Sequence, residues 1–116
     1  MYRQGDVLLE KVEDLPLRKS TDERLLVRGE GRNHGHFISG DELEIYLADA
    51  DETTENGGLV THYLDVITEG VLEHKLIDSK SWTREHAPIV LPPGRYRVIR
   101  QREFNPFLRA IRAVKD

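Results

Sequence analysis

Two histidines one residue apart, His34 and His36, close a glycine-rich stretch, Gly29-Glu30-Gly31-Arg32-Asn33-His34-Gly35-His36. On an extended chain side chains alternate with period two, so both imidazoles leave the same face. Two rings on one face can reach one ion, and imidazole nitrogen suits zinc, iron, nickel or manganese. The remaining ligands must come from elsewhere in the chain. His74 and His86 are the candidates, with His62 next, and Glu85, Asp41 or Glu73 offer carboxylates. Beside such an ion, Glu85 is also the candidate general base, or the group that orients a ligating imidazole.

The elements that must position these residues read as short strands. Residues 6–12 form an apolar run ended by Pro16, residues 15–24 are polar loop, and residues 25–28 form a short strand leading into the histidines. Phe37 and Ile38 continue an extended pattern, and Ser39-Gly40-Asp41 is a turn. Residues 42–47 alternate, with Leu43, Ile45 and Leu47 on one face. An acidic loop, residues 48–58, ends in Asn-Gly-Gly. In the next strand Val60, His62, Leu64 and Val66 share a face. Glu69-Gly70 turns the chain into a strand with Leu72, His74 and Leu76 on one side.

Residues 78–85, including Trp82, form a surface connection, and residues 86–91 lead to the turn Pro92-Pro93-Gly94. The last strand, 95–104, puts Tyr96, Val98, Arg100 and Arg102 on one face, and residues 108–114 close the chain as strand or short helix. Strands separated by Gly, Pro and Asn turns, without a convincing amphipathic helix, predict an all-β domain over 1–116. Its form would be a small antiparallel β-barrel or a jelly-roll-like sandwich.

The glycine-led His34-Gly35-His36 resembles the first motif of the cupins, and Leu91-Pro92-Pro93-Gly94 resembles the proline-x-glycine turn of their second motif. The resemblance implies a β-barrel holding a divalent metal, in oxygenases, isomerases, decarboxylases, lyases or plain binding proteins. Two positions depart from the pattern. The glutamate expected after His-x-His falls nearest Asp41 or Glu42, and Arg97 stands where the second motif has its histidine. A cupin-like site here would take its third ligand from His74 or His86.

Charge is unevenly distributed. Residues 1–90 carry 10 Lys and Arg against 19 Asp and Glu, whereas residues 91–116 carry 7 against 2. The expected use of the basic strand is pairing with the acidic earlier strands, Glu42, Glu44 and the loop from Asp49 to Glu55. A second use is nucleic-acid binding, since Arg95, Arg97, Arg100, Arg102, Arg109 and Arg112 alternate with Tyr96, Phe104 and Phe107. A third places Arg100, Arg102 and Tyr96 around a small polar or anionic substrate beside the metal.

Other classes are absent. No serine stands in a nucleophile-elbow context, and no glycine motif cradles a phosphate. There is no cysteine, so no thiolate site or disulfide. No apolar run approaches the roughly 18 residues of a membrane span. The reading is therefore a small metal-binding barrel acting on, or binding, a small polar or anionic molecule in the cytoplasm. The alternative is a binding module for nucleic acid or an acidic partner, and a third reading is a structural or assembly protein whose exposed edge strand pairs with a copy of itself.

Overall fold

The computed structural model describes residues 1–28, 34–76 and 84–101, apart from the side chains at 76 and 84–86. Ten strands follow in order: β1 (Tyr2–Gln4), β2 (Val7–Lys11), β3 (Ser20–Thr21), β4 (Leu25–Arg28), β5 (His34–Ser39), β6 (Leu43–Leu47), β7 (Leu59–Val66), β8 (Gly70–Leu76), β9 (Arg84–Leu91) and β10 (Gly94–Arg100). The described residues contain no helix. Two antiparallel sheets result. The larger has the order β1-β2-β10-β7-β6-β3 and the smaller β4-β5-β8-β9.

One apolar core joins the two sheets. The larger sheet contributes Val7, Leu9, Ile45, Leu64, Val66, Tyr96 and Val98, and the smaller Leu26, Val27, Ile38, Leu72 and Leu91. These fall at alternate positions along most strands, as a sheet with one buried face requires. Val60 departs from the expected alternation. The β7–β10 register shifts between Val98 and Ile99, whose partners are His62 and Val60, so Thr61 is an extra residue on β7. The bulge turns Val60 to the outer face, where it packs with Leu8, Tyr63 and Ile99.

That outer cluster anchors the acidic loop. The Tyr63 hydroxyl donates to Glu52, and Arg18 pairs with Glu52 at 3.1 Å and Asp49 at 3.2 Å. Burial works to raise the Glu52 pKa, yet the bonds from Tyr63 and Arg18 outweigh it and hold that carboxyl below its ordinary value. Burial, reinforced by the Glu52 bond, pushes the Tyr63 phenol up to about 12. Asp49 and Glu52 thus meet Arg18, not the basic strand.

The strand's own arginines meet the N-terminal acids instead. Arg97 lies directly across from Glu10 and pairs with it at 2.6 Å. Arg95 donates to the Glu13 carbonyl at 2.9 Å, and Arg100 stands 3.5 Å from Asp6. The reason is strand order, which sequence does not reveal: β10 lies beside β2, so its partners are the acids at 6–14.

Glu69-Gly70 is likewise not a hairpin, because β7 and β8 belong to different sheets and the chain crosses between them there. The β5–β6 crossing at Gly40 lies against it. A Cβ on Gly40 would meet the Glu69 carbonyl oxygen at 2.5 Å, at a φ of +153°. Gly40→Ala is expected to destabilise the fold by about 1–3 kcal/mol, read as a lower urea midpoint with an unchanged slope.

Candidate functional site

The crossings at Gly40, Gly70 and Gly94 lie at one end of the sheets. The other end gathers the last residue of β1, the first of β2, the first of β5, the last of β8, the first of β9 and the last of β10. Register then sets the histidines in a row. His36 is the direct partner of His74 across β5 and β8, and His74 is the direct partner of His86 across β8 and β9.

Ring geometry follows from that register. The His36 and His74 rings stack at 4.3 Å between centroids, 13° from parallel. His34, half-buried at the start of β5, lies 5.8 Å from His74 with its ring tilted by 40°. The strand therefore presents both histidines of the His-x-His pair to His74, as the period-two argument expects. However, lone pairs of stacked rings lie in nearly parallel planes. Imidazoles sharing one ion must aim their nitrogens at it from about 2.0–2.1 Å, so this stack does not offer both rings to one metal.

His36 is held by two side chains from the N-terminal hairpin. Its Nδ1 lies 3.0 Å from Gln4 Oε1, and its Nε2 lies 3.4 Å from Asp6 Oδ1. Gln4 and Asp6 flank Gly5, whose φ of 60° is open to glycine and unfavourable for most side chains. This two-residue turn joins β1 to β2 and brings both polar groups around one ring. Gln4 is 2% exposed and His36 1%. The Gln4 amide also donates to the Leu72 carbonyl at 2.9 Å and the Ala87 carbonyl at 3.0 Å. Arg100, on the inner face of β10 opposite Val7, faces Asp6 from the other side.

Several candidates from sequence lie elsewhere. Tyr96 is wholly buried in the core, about 13 Å along β10 from Arg100, with its hydroxyl donating to the Pro92 carbonyl at 2.7 Å. The structure thus gives it a packing role, not a substrate contact. Asp41 is in the exposed turn after β5, at the far end. Glu73 leaves β8 on the face opposite His74. The backbone of β9 carries Glu85 and His86 to the histidine end, but their side chains lie outside the described residues, as does all of Arg102. Among the described residues, no three His, Asp or Glu side chains are grouped to hold a metal.

Gln4 and Asp6 were not legible as site residues. Nothing local marks them: the partners of Gln4 lie 32 residues away in β5, and 68 and 83 away in β8 and β9, and those of Asp6 are His36 and Arg100. Only the turn glycine between them was a visible cue.

A family model described as a domain of unknown function (DUF8820) matches residues 3–101. The chain belongs to the DUF8820 family. Neither a curated protein nor a solved structure matches it. The matched DUF8820 segment spans the Gln4–Asp6 hairpin, both sheets and the histidine row. It ends before Arg102, Phe104, Phe107, Arg109 and Arg112, so most of the basic and aromatic series considered for nucleic acid falls beyond it.

His62 stands apart on β7, in the larger sheet, with Nδ1 2.9 Å from Thr61 Oγ1. Burial lowers its pKa below the ordinary 6.5, and the nearby Glu23 charge opposes this only in part. The folded protein then holds fewer protons on His62 than the unfolded chain. This contribution to stability is complete above the unfolded pKa and is lost as pH falls through the lower folded value. Urea midpoints are expected to decline between about pH 8 and about pH 5, and His62→Gln to flatten part of that decline.

Proposed function

We propose that the histidine end is a binding site for a divalent transition metal in a small antiparallel β-barrel, with His36 Nε2 and Asp6 as protein ligands. The observation that carries this is the facing of His36 Nε2 and Asp6 Oδ1 at 3.4 Å. Both are electron-rich atoms, so a cation belongs between them, either a proton or a metal.

The distance fits a shared metal. A charge-assisted hydrogen bond from imidazolium to carboxylate is shorter, about 2.7–2.9 Å. Two ligand atoms on one tetrahedral zinc, at its usual bond lengths to nitrogen and oxygen, lie about 3.4 Å apart. The chemistry of the pair also fits, since imidazole and carboxylate together suit zinc, iron, nickel and manganese. Further ligands would come from His34, or from Glu85 and His86 on β9, and not from His74, whose ring stacks on that of His36.

A bound ion would supply Lewis-acid polarisation to an oxygen of a small polar or anionic molecule. The chain's own part is to orient the donors. Arg100 engages Asp6 Oδ2, which turns the other carboxylate oxygen toward His36. Pairing also bears on the nucleic-acid alternative: Arg95, Arg97 and Arg100 all have acidic or carbonyl partners within the chain, which leaves less of their charge for phosphates.

Protein purified without a histidine tag should take up about one zinc or cobalt per chain, by elemental analysis after dialysis and by calorimetric titration. His36→Asn and Asp6→Asn should each weaken uptake by at least the roughly 10–100-fold typical of a lost supporting partner. His62→Gln should leave it unchanged. Absence of uptake by the folded wild-type chain, or equal uptake in all three variants, would overturn the assignment.

A further inference from the structure

A metal can use His36 Nε2 only if the ring carries its proton on Nδ1, and nothing in the imidazole itself ensures this. Asp6 works the other way. Its carboxylate faces Nε2 and draws the ring proton to that atom, which would close the ligand position. The neutral ring has one proton and two facing acceptors, so the competing acceptor decides where the proton sits.

We infer that Gln4 is the positioning residue that sets the His36 tautomer, holding the proton on Nδ1 and leaving the Nε2 lone pair toward Asp6. The inference rests on the metal reading for its purpose, but not for its geometry. An amide side chain can ordinarily be turned either way, with oxygen and nitrogen exchanged. Here it cannot, because one end of Gln4 faces two backbone carbonyl oxygens, of Leu72 at 2.9 Å and Ala87 at 3.0 Å. Carbonyls only accept, so that end must be the NH2 group, and both its hydrogens are engaged. The end facing His36 is therefore the oxygen, which can only accept. Its partner at 3.0 Å, Nδ1, must be the donor.

Burial makes the arrangement firm. Gln4 and His36 are almost wholly removed from water, so turning the amide would set NH2 against a ring donor and oxygen against two carbonyls. Each buried polar group left without a partner costs about 1–3 kcal/mol. The backbones of β8 and β9 thus fix the Gln4 amide, and the amide fixes the ring.

The ring tautomer is directly readable. Long-range nitrogen–proton NMR spectra of 15N-labelled protein, stripped of metal with a chelator and held above the imidazole titration range, show which ring nitrogen carries the proton. The His36 signals are assigned as those missing from His36→Asn. The wild-type ring should be protonated on Nδ1. In Gln4→Ala the proton should move to Nε2, toward Asp6, and zinc affinity should fall about 10–100-fold. Gln4→Glu loses the donors to Leu72 and Ala87 but keeps an oxygen toward the ring, so Nδ1 protonation should return.

That last variant separates positioning from stapling. Were Gln4 merely a structural tie, Gln4→Glu and Gln4→Ala would fail alike. Asp6→Asn should leave the proton on Nδ1, and this arm, with the wild-type spectrum, stands even where Gln4→Ala does not fold. An Nε2-protonated wild-type ring, or a proton that leaves Nδ1 in Asp6→Asn with Gln4 intact, would overturn the inference. Absence of zinc binding with Nδ1 protonated as expected would remove the metal reading alone.

Discussion

The Gln4 side chain ties the two sheets together by directed bonds. It leaves β1 in the larger sheet and reaches three strands of the smaller one: His36 on β5, Leu72 on β8 and Ala87 on β9. Dispersion and apolar burial bring the sheets together but do not fix their offset, because such contacts are non-directional. Three hydrogen bonds from one planar amide do fix it. A slip of one residue along β8 or β9 would point that strand's carbonyl away and leave a buried donor unmatched.

The histidine row depends on the same offset. His36, His74 and residue 86 align because β5, β8 and β9 keep their register, and the ring of His36 meets Gln4 and Asp6 only if β1 lies beside β9. A two-residue turn at Gly5 and Asp6 makes the hairpin stiff enough to deliver both groups to one ring. Arg100 adds a fifth strand to the arrangement, since β10 pairs with β2 and ends at the same place. The described polar side chains of the site thus come from β1, β5, β8 and β10 and from the turn before β2, and none is positioned by its own segment alone.

That division explains what sequence could and could not reveal. Period-two alternation is local, so the common face of His34 and His36, the inward side of β8 and the inward Arg100 were all legible. The bounds of β4 and most of β7, β8 and β10 followed from turn residues and apolar runs. Strand order is not local. It decided that the arginines of β10 face Glu10, Glu13 and Asp6 while Asp49 and Glu52 turned to Arg18, and that β7 does not neighbour β8. One extra residue, Thr61, was enough to move Val60 from the inner face to the outer. Gln4 and Asp6 carry no pattern at all until the sheets are assembled.

Stability alone does not account for the polar cluster. The described core between the sheets is aliphatic and aromatic, and a hydrogen bond contributes only about 0.5–1.5 kcal/mol net in folding. Replacing a buried polar network with apolar side chains of similar volume is often neutral or stabilising. Gln4, His36 and His74 occupy space that Leu, Phe or Met would fill at less risk, since losing any one partner strands the others in a region without water. A fold of this size has a margin of about 5–15 kcal/mol, and a single such loss consumes a sizeable part of it. The cluster also sits where β1, β5, β8 and β10 converge, not at the crossing end, where Ile38, Val66 and Leu91 close the core. Its cost is therefore concentrated at one end of the sheets, around one ring whose two nitrogens face different acceptors. That asymmetry has no use in packing, and it is the feature on which the proposed cation site rests.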